Sequence, residues 1–206
     1  MIKLIIFDLD GTLVDAKELY KQQYKILFKK YGYNKINKSL FDKHFGKKLP
    51  LFLKILKIKE RDILEIRKEI NKFALEHYKQ VKLIPGALSI RELKPKKIVI
   101  SNSVGNFARV ICKNLNLRFE KIIGGDEFDR KEQEIKKQIA KYKVKPKEAI
   151  YVGDRAEDND YARKAGCMSV LVSNTYSWNP HKKLVQAHPD FLISNLKDLK
   201  KVVEKI

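Results

Sequence analysis

Six short apolar runs rich in β-branched residues recur along this chain, at Lys3-Phe7, Lys97-Ile100, Lys121-Ile123, Ala149-Val152, Ser169-Val172 and Phe191-Ile193. Between and after the later runs lie segments with apolar residues at helical spacing: Val104 to Leu115, Lys131 to Tyr142, Asp158 to Ala165 and, after the last run, Asn195 to Val203. Strand and helix in alternation predict an α/β fold, a doubly wound parallel sheet with helices on both faces. Such sheets bind ligands beyond the carboxyl ends of their strands. The residues that follow each apolar run are therefore the candidates for function.

The alternation is interrupted once. After the first run come about seventy residues with no strand-like stretch, against the about 2–6 residues of a usual connection. Their periodicity predicts helices over Ala16 to Tyr31, Ser39 to Phe45, Leu49 to Leu56 and Arg61 to Gln80. Ile63, Ile66, Ile70 and Phe73 recur at spacings of three and four, as do Tyr20, Tyr24, Phe28 and Tyr31. An aromatic stripe at this spacing reads as the core of a small bundle more readily than as a surface for stacking bases. Residues 15–84 are thus predicted to form an inserted helical unit, with residues 1–14 and 85–206 forming the main domain. Pro85-Gly86 marks the return.

Composition narrows the class. Of 206 residues 44% are hydrophobic, enough for a core, and no apolar run approaches the ~20 residues of a membrane span. Met1-Ile2-Lys3 already leads into a strand, so a soluble, cytoplasmic protein with no membrane partner is expected. Cys112 and Cys167 lack metal-ligand spacing and read as buried thiols. The 45 basic and 25 acidic residues give a net charge of +20, which raises the question of nucleic acid. The lysines are spread along the whole chain, however, and a Lys/Ile/Glu-rich composition also follows from thermophily or an AT-rich genome.

The first strand ends in Phe7-Asp8-Leu9-Asp10-Gly11-Thr12-Leu13. A bare Asp-Gly is a turn, but two carboxylates separated by one residue at a strand tip can divide into nucleophile and acid–base roles. The second strand ends in Ser101-Asn102-Ser103, which alone reads as a turn and helix cap. Ile150-Tyr151-Val152-Gly153-Asp154 is followed by Asp158, so that two more acids face the same point, a set of hard oxygen donors suited to Mg2+. Asp160 is one residue off this pattern and reads as helix surface.

Taken together, these motifs resemble those of the haloacid dehalogenase-like (HAD) superfamily, whose phosphatases carry an apolar run followed by Asp-x-Asp-Gly-Thr. The resemblance covers residues 3 to about 200. It implies a Rossmann-like core with an inserted α-helical C1 cap, phosphoglycolate phosphatase-like. It also implies Asp8 as nucleophile and Asp10 as general acid and base. Gly11, Thr12, the Ser101 hydroxyl, the backbone at Asn102 and Lys131 would hold the phosphoryl group. Lys131 stands where the family has its site lysine, although Glu132 follows where many members have proline; Arg130, and less plausibly Lys136 or Lys137, compete for the role. Mg2+ would be bound by Asp8, the Asp10 carbonyl and Asp154, with Asp158 acting through water. In the cap, Tyr20, Lys47 and Lys48 are candidates for substrate specificity.

The implied substrate is a small phosphorylated metabolite. Two features weigh against a transferase of the β-phosphoglucomutase type: Gly153 precedes Asp154 where such mutases have Glu, and Tyr20 occupies the place of a cap histidine. A nucleic-acid-end phosphatase or binding protein using the basic surface is a further alternative, as is a catalytically silent regulator.

Overall fold

A computed structural model describes residues 1–206. The chain runs β1 (Leu4–Phe7), β2 (Val14–Asp15), α1 (Lys17–Lys30), α2 (Lys38–His44), α3 (Leu49–Ile55), α4 (Glu60–His77) and β3 (Lys82–Leu83). It continues with β4 (Lys96–Ile100), α5 (Gly105–Asn114), β5 (Lys121–Ile123), α6 (Lys131–Lys141), β6 (Ala149–Gly153) and α7 (Ala156–Ala165). The last elements are β7 (Met168–Val172), α8 (His181–Gln186), β8 (Phe191–Ile193) and α9 (Leu199–Lys205). Six strands form one parallel sheet in the order β5-β4-β1-β6-β7-β8. With β1 between β4 and β6, the tips of the three central strands share one edge. The fold is the α/β Rossmann-like core with a helical insert that the alternation predicts.

Side-chain alternation along β1 divides the core into two layers. Ile5 and Phe7 join Leu9, Val99, Phe107, Ala108 and Ile111 on one face. Leu4 and Ile6 join Ile98, Ile100, Ile135, Ile139 and Ala162 on the other. A strand buried on both faces reads as a continuous apolar run, as Leu4-Ile5-Ile6-Phe7 does. The insert has a third core built from the predicted stripes, with Tyr24, Leu27 and Phe28 of α1 against Phe52, Leu53, Ile63, Ile66 and Ile70. Phe52, Leu53 and Ile66 are fully buried, each contributing about 1.5–3 kcal/mol of hydrophobic stabilisation.

Several boundaries differ from those expected, each for a local reason. The chain leaves and rejoins the core through β2 and β3, an antiparallel pair of two residues each, too short to show a period. The long cap helix ends at His77 and its last turn tightens to a 3-10 turn, Tyr78–Gln80, before the chain turns back at Val81. Helix α7 starts at Ala156, so Asp158 lies inside its first turn, where its Oδ2 accepts the N–H groups of Asp154 and Arg155 at 3.1 and 3.0 Å. Helix α8 was not anticipated: it has six residues after Pro180 and buries only Leu184. Gly86 adopts φ +88° at the turn into the core, as the Pro-Gly signal suggests. Cys112 and Cys167 are buried free thiols.

Candidate active site

The three central strand tips deliver the acids and hydroxyls to one place. Asp8 and Asp10 follow β1, Ser101 and Ser103 follow β4, and Asp154 follows β6, with Asp158 in the first turn of α7. Lys131 is the first residue of α6 and reaches down between them. Its Nζ donates to Asp8 Oδ1 at 2.9 Å and lies 3.8 Å from Asp158 Oδ1. Burial alone would lower the lysine's pKa, but the Asp8 and Asp158 carboxylates outweigh it and hold it above the ordinary value. The Lys131 side chain is 2% exposed, whereas that of Arg130 is 61% exposed and pairs with Glu132. The structure therefore places Lys131 and not Arg130 beside the acids; Lys136 is exposed and Lys137 pairs with Glu134.

Asp10 has different company. Its Oδ2 accepts hydrogen bonds from the hydroxyls of Ser103, at 2.5 Å, and Ser101, at 3.4 Å. Tyr20, from α1 of the insert, shares a 2.7 Å hydrogen bond with Ser103 Oγ. Asp10 Oδ1 is buried without a partner. Burial pushes the Asp10 carboxyl up to about 7, helped by the charge of Asp8 and opposed by the Ser103 hydrogen bond. Such a carboxyl exchanges a proton near neutral pH.

Asp8, Asp154 and Asp158 form a carboxylate cluster with the spacing to hold a metal ion, one oxygen of each lying within 4.8 Å of the others and all three residues buried. Burial, then the charges of Asp158 and Asp8, drive Asp154 well above the usual carboxylate range. Burial and Asp8 raise Asp158 to about 6. Donors already fix the orientation of Asp154: Thr12 Oγ1 to its Oδ1 at 3.0 Å and the Trp178 N–H to its Oδ2 at 2.6 Å. One lysine offsets one of these charges, so a hard divalent cation fits both the donor set and the residual charge.

A cleft lies between the sheet edge and the helical insert. Asp8, Asp10, Ser101 and Ser103 form its floor, and Tyr20, Tyr24, Phe45 and Lys47 line it from the insert. The insert is pinned in place by several contacts. Phe45 stacks on Trp178, with ring centroids 4.8 Å apart and planes 6° apart. Asn102 Nδ2 donates to the Gly46 carbonyl at 3.0 Å. Lys48 Nζ donates to the carbonyl oxygens of Phe128 and Asp129, which directs it away from the cleft that Lys47 lines.

Two of the sequence-predicted phosphate-binding groups are already engaged. The Gly11 N–H donates to the Val14 carbonyl at 2.8 Å, and the Thr12 hydroxyl is taken by Asp154. Both shape the loop: Gly11 has φ +81°, and a Cβ there would overlap Asp154 and Trp178. Sequence reasoning missed Ser103, Arg155 and Trp178. The only available signals were the second hydroxyl of Ser-Asn-Ser, a basic residue directly after the motif aspartate, and the presence of a single tryptophan in the chain.

A family profile described as haloacid dehalogenase-like hydrolase matches residues 5–172. Similar proteins include a phosphoglycolate phosphatase of Aquifex aeolicus, 30% identical over 98% of this chain and 97% of its own length. Another is the pyrophosphatase PpaX of Oceanobacillus iheyensis, 25% identical over 98% and 97%. Among solved structures, a haloacid dehalogenase-like family hydrolase from Streptococcus pneumoniae superimposes with a TM-score of 0.83 at 22% identity, covering 98% of both chains.

Proposed function

The chain belongs to the haloacid dehalogenase-like hydrolases and is a phosphoric monoester hydrolase of that family, and from this premise we propose a Mg2+-dependent phosphatase of small metabolites, phosphoglycolate phosphatase-like. The observation that carries the reading is the division of labour between two neighbouring carboxyls. Asp8 pairs with Lys131, while Asp10, in the same cleft, keeps one oxygen free and titrates at about 7.

In the proposed reaction an Asp8 carboxylate oxygen attacks phosphorus, and the bond from phosphorus to the ester oxygen breaks as Asp10 gives that oxygen its proton. An aspartyl-phosphate remains on Asp8. Asp10, now a carboxylate, takes a proton from water; the oxygen attacks phosphorus, the acyl-phosphate bond breaks and Asp8 is restored. Lys131 and the Ser101 hydroxyl stabilise charge on the equatorial oxygens. Asp8, Asp154 and the Asp10 carbonyl would hold Mg2+, with Asp158 acting through water. The ion supplies positive charge against the phosphoryl oxygens, reducing their repulsion by the carboxylates. The insert acts as a cap that keeps bulk water from the cleft, and a capped cleft suits a small metabolite better than a polynucleotide.

Purified protein is to be assayed with and without Mg2+ on ethyl phosphate, p-nitrophenyl phosphate, phosphoglycolate and pyrophosphate, with Asp8→Asn alongside. Metal-dependent phosphate release that disappears in the variant is expected. Release that persists in Asp8→Asn overturns the nucleophile assignment.

A further inference from the structure

Arg155 and Trp178 belong to the core, yet both line the cleft beneath the cap. The Arg155 side chain is 9% exposed, and its Nε–H is buried without an acceptor. The Trp178 Nε1–H is buried without an acceptor as well. Nine-tenths burial of a guanidinium normally goes with full pairing. Here the only carboxylate within ion-pair distance is Glu157, whose Oε1 is 3.4 Å from Nη2. None of the catalytic acids is in such contact, and Lys131 already serves Asp8 and Asp158.

The two side chains act as one wall. The guanidinium lies 6.0 Å from the Trp178 ring centroid, the Phe45 stack covers that ring from the cap, and a Cβ on Gly46 would overlap both residues. Stacking explains the ring faces but leaves two N–H donors without acceptors on two residues that line the cleft. We infer that Arg155 and Trp178 form an oxyanion subsite for the leaving group, so that the preferred substrates carry a second anionic group, carboxylate or phosphate, beyond the scissile phosphoryl. Selectivity is then set from the core, by the residue after Asp154, and not by the cap lysines alone. This deepens the phosphatase reading and rests on it for the term leaving group; the subsite itself is tested by binding.

Dissociation constants are to be measured by calorimetry in the Asp8→Asn protein with Mg2+ present. Ethyl phosphate is compared with its carboxylate-bearing isostere phosphoglycolate and with pyrophosphate. At least about tenfold tighter binding of one or both doubly anionic compounds is expected, and which one is favoured tells carboxylate from phosphate recognition. Adding Arg155→Gln is expected to erase the difference. Trp178→Phe, which keeps an aromatic ring for stacking while removing the N–H with part of the indole, is expected to narrow it severalfold and covers the case in which Arg155→Gln does not fold. Glu157→Gln frees the guanidinium and is expected to preserve or widen the preference. A structural Arg155–Glu157 pair would instead lose the preference in both variants, which overturns the inference. So does equal affinity for all three compounds, or a preference that survives Arg155→Gln and disappears in Lys47→Ala. Wild-type turnover of ethyl phosphate reports separately on the phosphatase, because that ester has no second anion.

Discussion

Asp8 and Asp10 leave the same strand two residues apart, and their surroundings assign them opposite tasks. Asp8 accepts a 2.9 Å hydrogen bond from the Lys131 ammonium, whereas Asp10 accepts hydrogen bonds only from neutral hydroxyls in a buried setting. Asp10→Asn is therefore expected to lower steady-state turnover by about 10²–10⁴-fold, the range for losing a general acid–base. With p-nitrophenyl phosphate, whose leaving group needs little protonation, a burst of one equivalent of nitrophenolate is expected to survive in rapid-mixing kinetics while steady-state turnover falls. Loss of the burst together with turnover would show that forming the aspartyl-phosphate requires Asp10 even with this leaving group. These acids were legible in the sequence because each sits at the end of an apolar run, where local spelling and position in the sheet coincide. Ser103, Arg155 and Trp178 were not, since their meaning depends on the cap coming down over β4 and β6. No local pattern encodes that contact.

At the scale of elements, the loop between α2 and α3 carries the seam between cap and core. Gly46 has φ +86°, and a Cβ there would overlap Trp178 and Arg155. Gly32, also in the cap, has φ +78° with nothing within 4 Å. The pair separates backbone strain from misfit. Both alanine variants bear the left-handed penalty of about 1–2 kcal/mol, a loss of roughly 2–8 °C in Tm for a chain of this size. Gly46→Ala is expected in addition to lower kcat/KM by about tenfold or more, with Gly32→Ala retaining activity; steady-state assays and thermal melts of the two decide it. Equal activity in both would mean that the seam does not control the site. The large elements were readable from periodicity because each buries a full stripe or strand. The pair β2–β3 and helix α8 bury too few residues to leave one.

For the whole molecule, the acid cluster links stability to pH and to metal. Asp10 at about 7, Asp158 at about 6 and Asp154, also raised, all exceed the ordinary value of 3.8. In the metal-free protein their contribution is fully present below pH 3.8 and is lost as pH rises through about 6 to 7, because folding then requires burying unpaired charge. A bound cation reverses this and competes with the protons. Mg2+ at a hundredfold excess over its Kd is worth about 2.7 kcal/mol, or about 5–10 °C in Tm for a chain of this size. The shift is expected near pH 8 and is expected to shrink towards pH 5. A Tm shift independent of pH, or absent from chelator-treated protein on adding Mg2+, would remove the cluster as its site.

The stem formed by Val14–Asp15 and Lys82–Leu83 has a consequence for how such a molecule can change. The insert leaves and returns at adjacent points on the same side of the sheet, so its length and content place no demand on the register of the six parallel strands. A different helical hairpin could be grafted onto the same stem with the strand tips undisturbed. The reaction and the choice of substrate are thus largely separable, and a core that carries its own anion wall would bring part of that choice with it into any new graft.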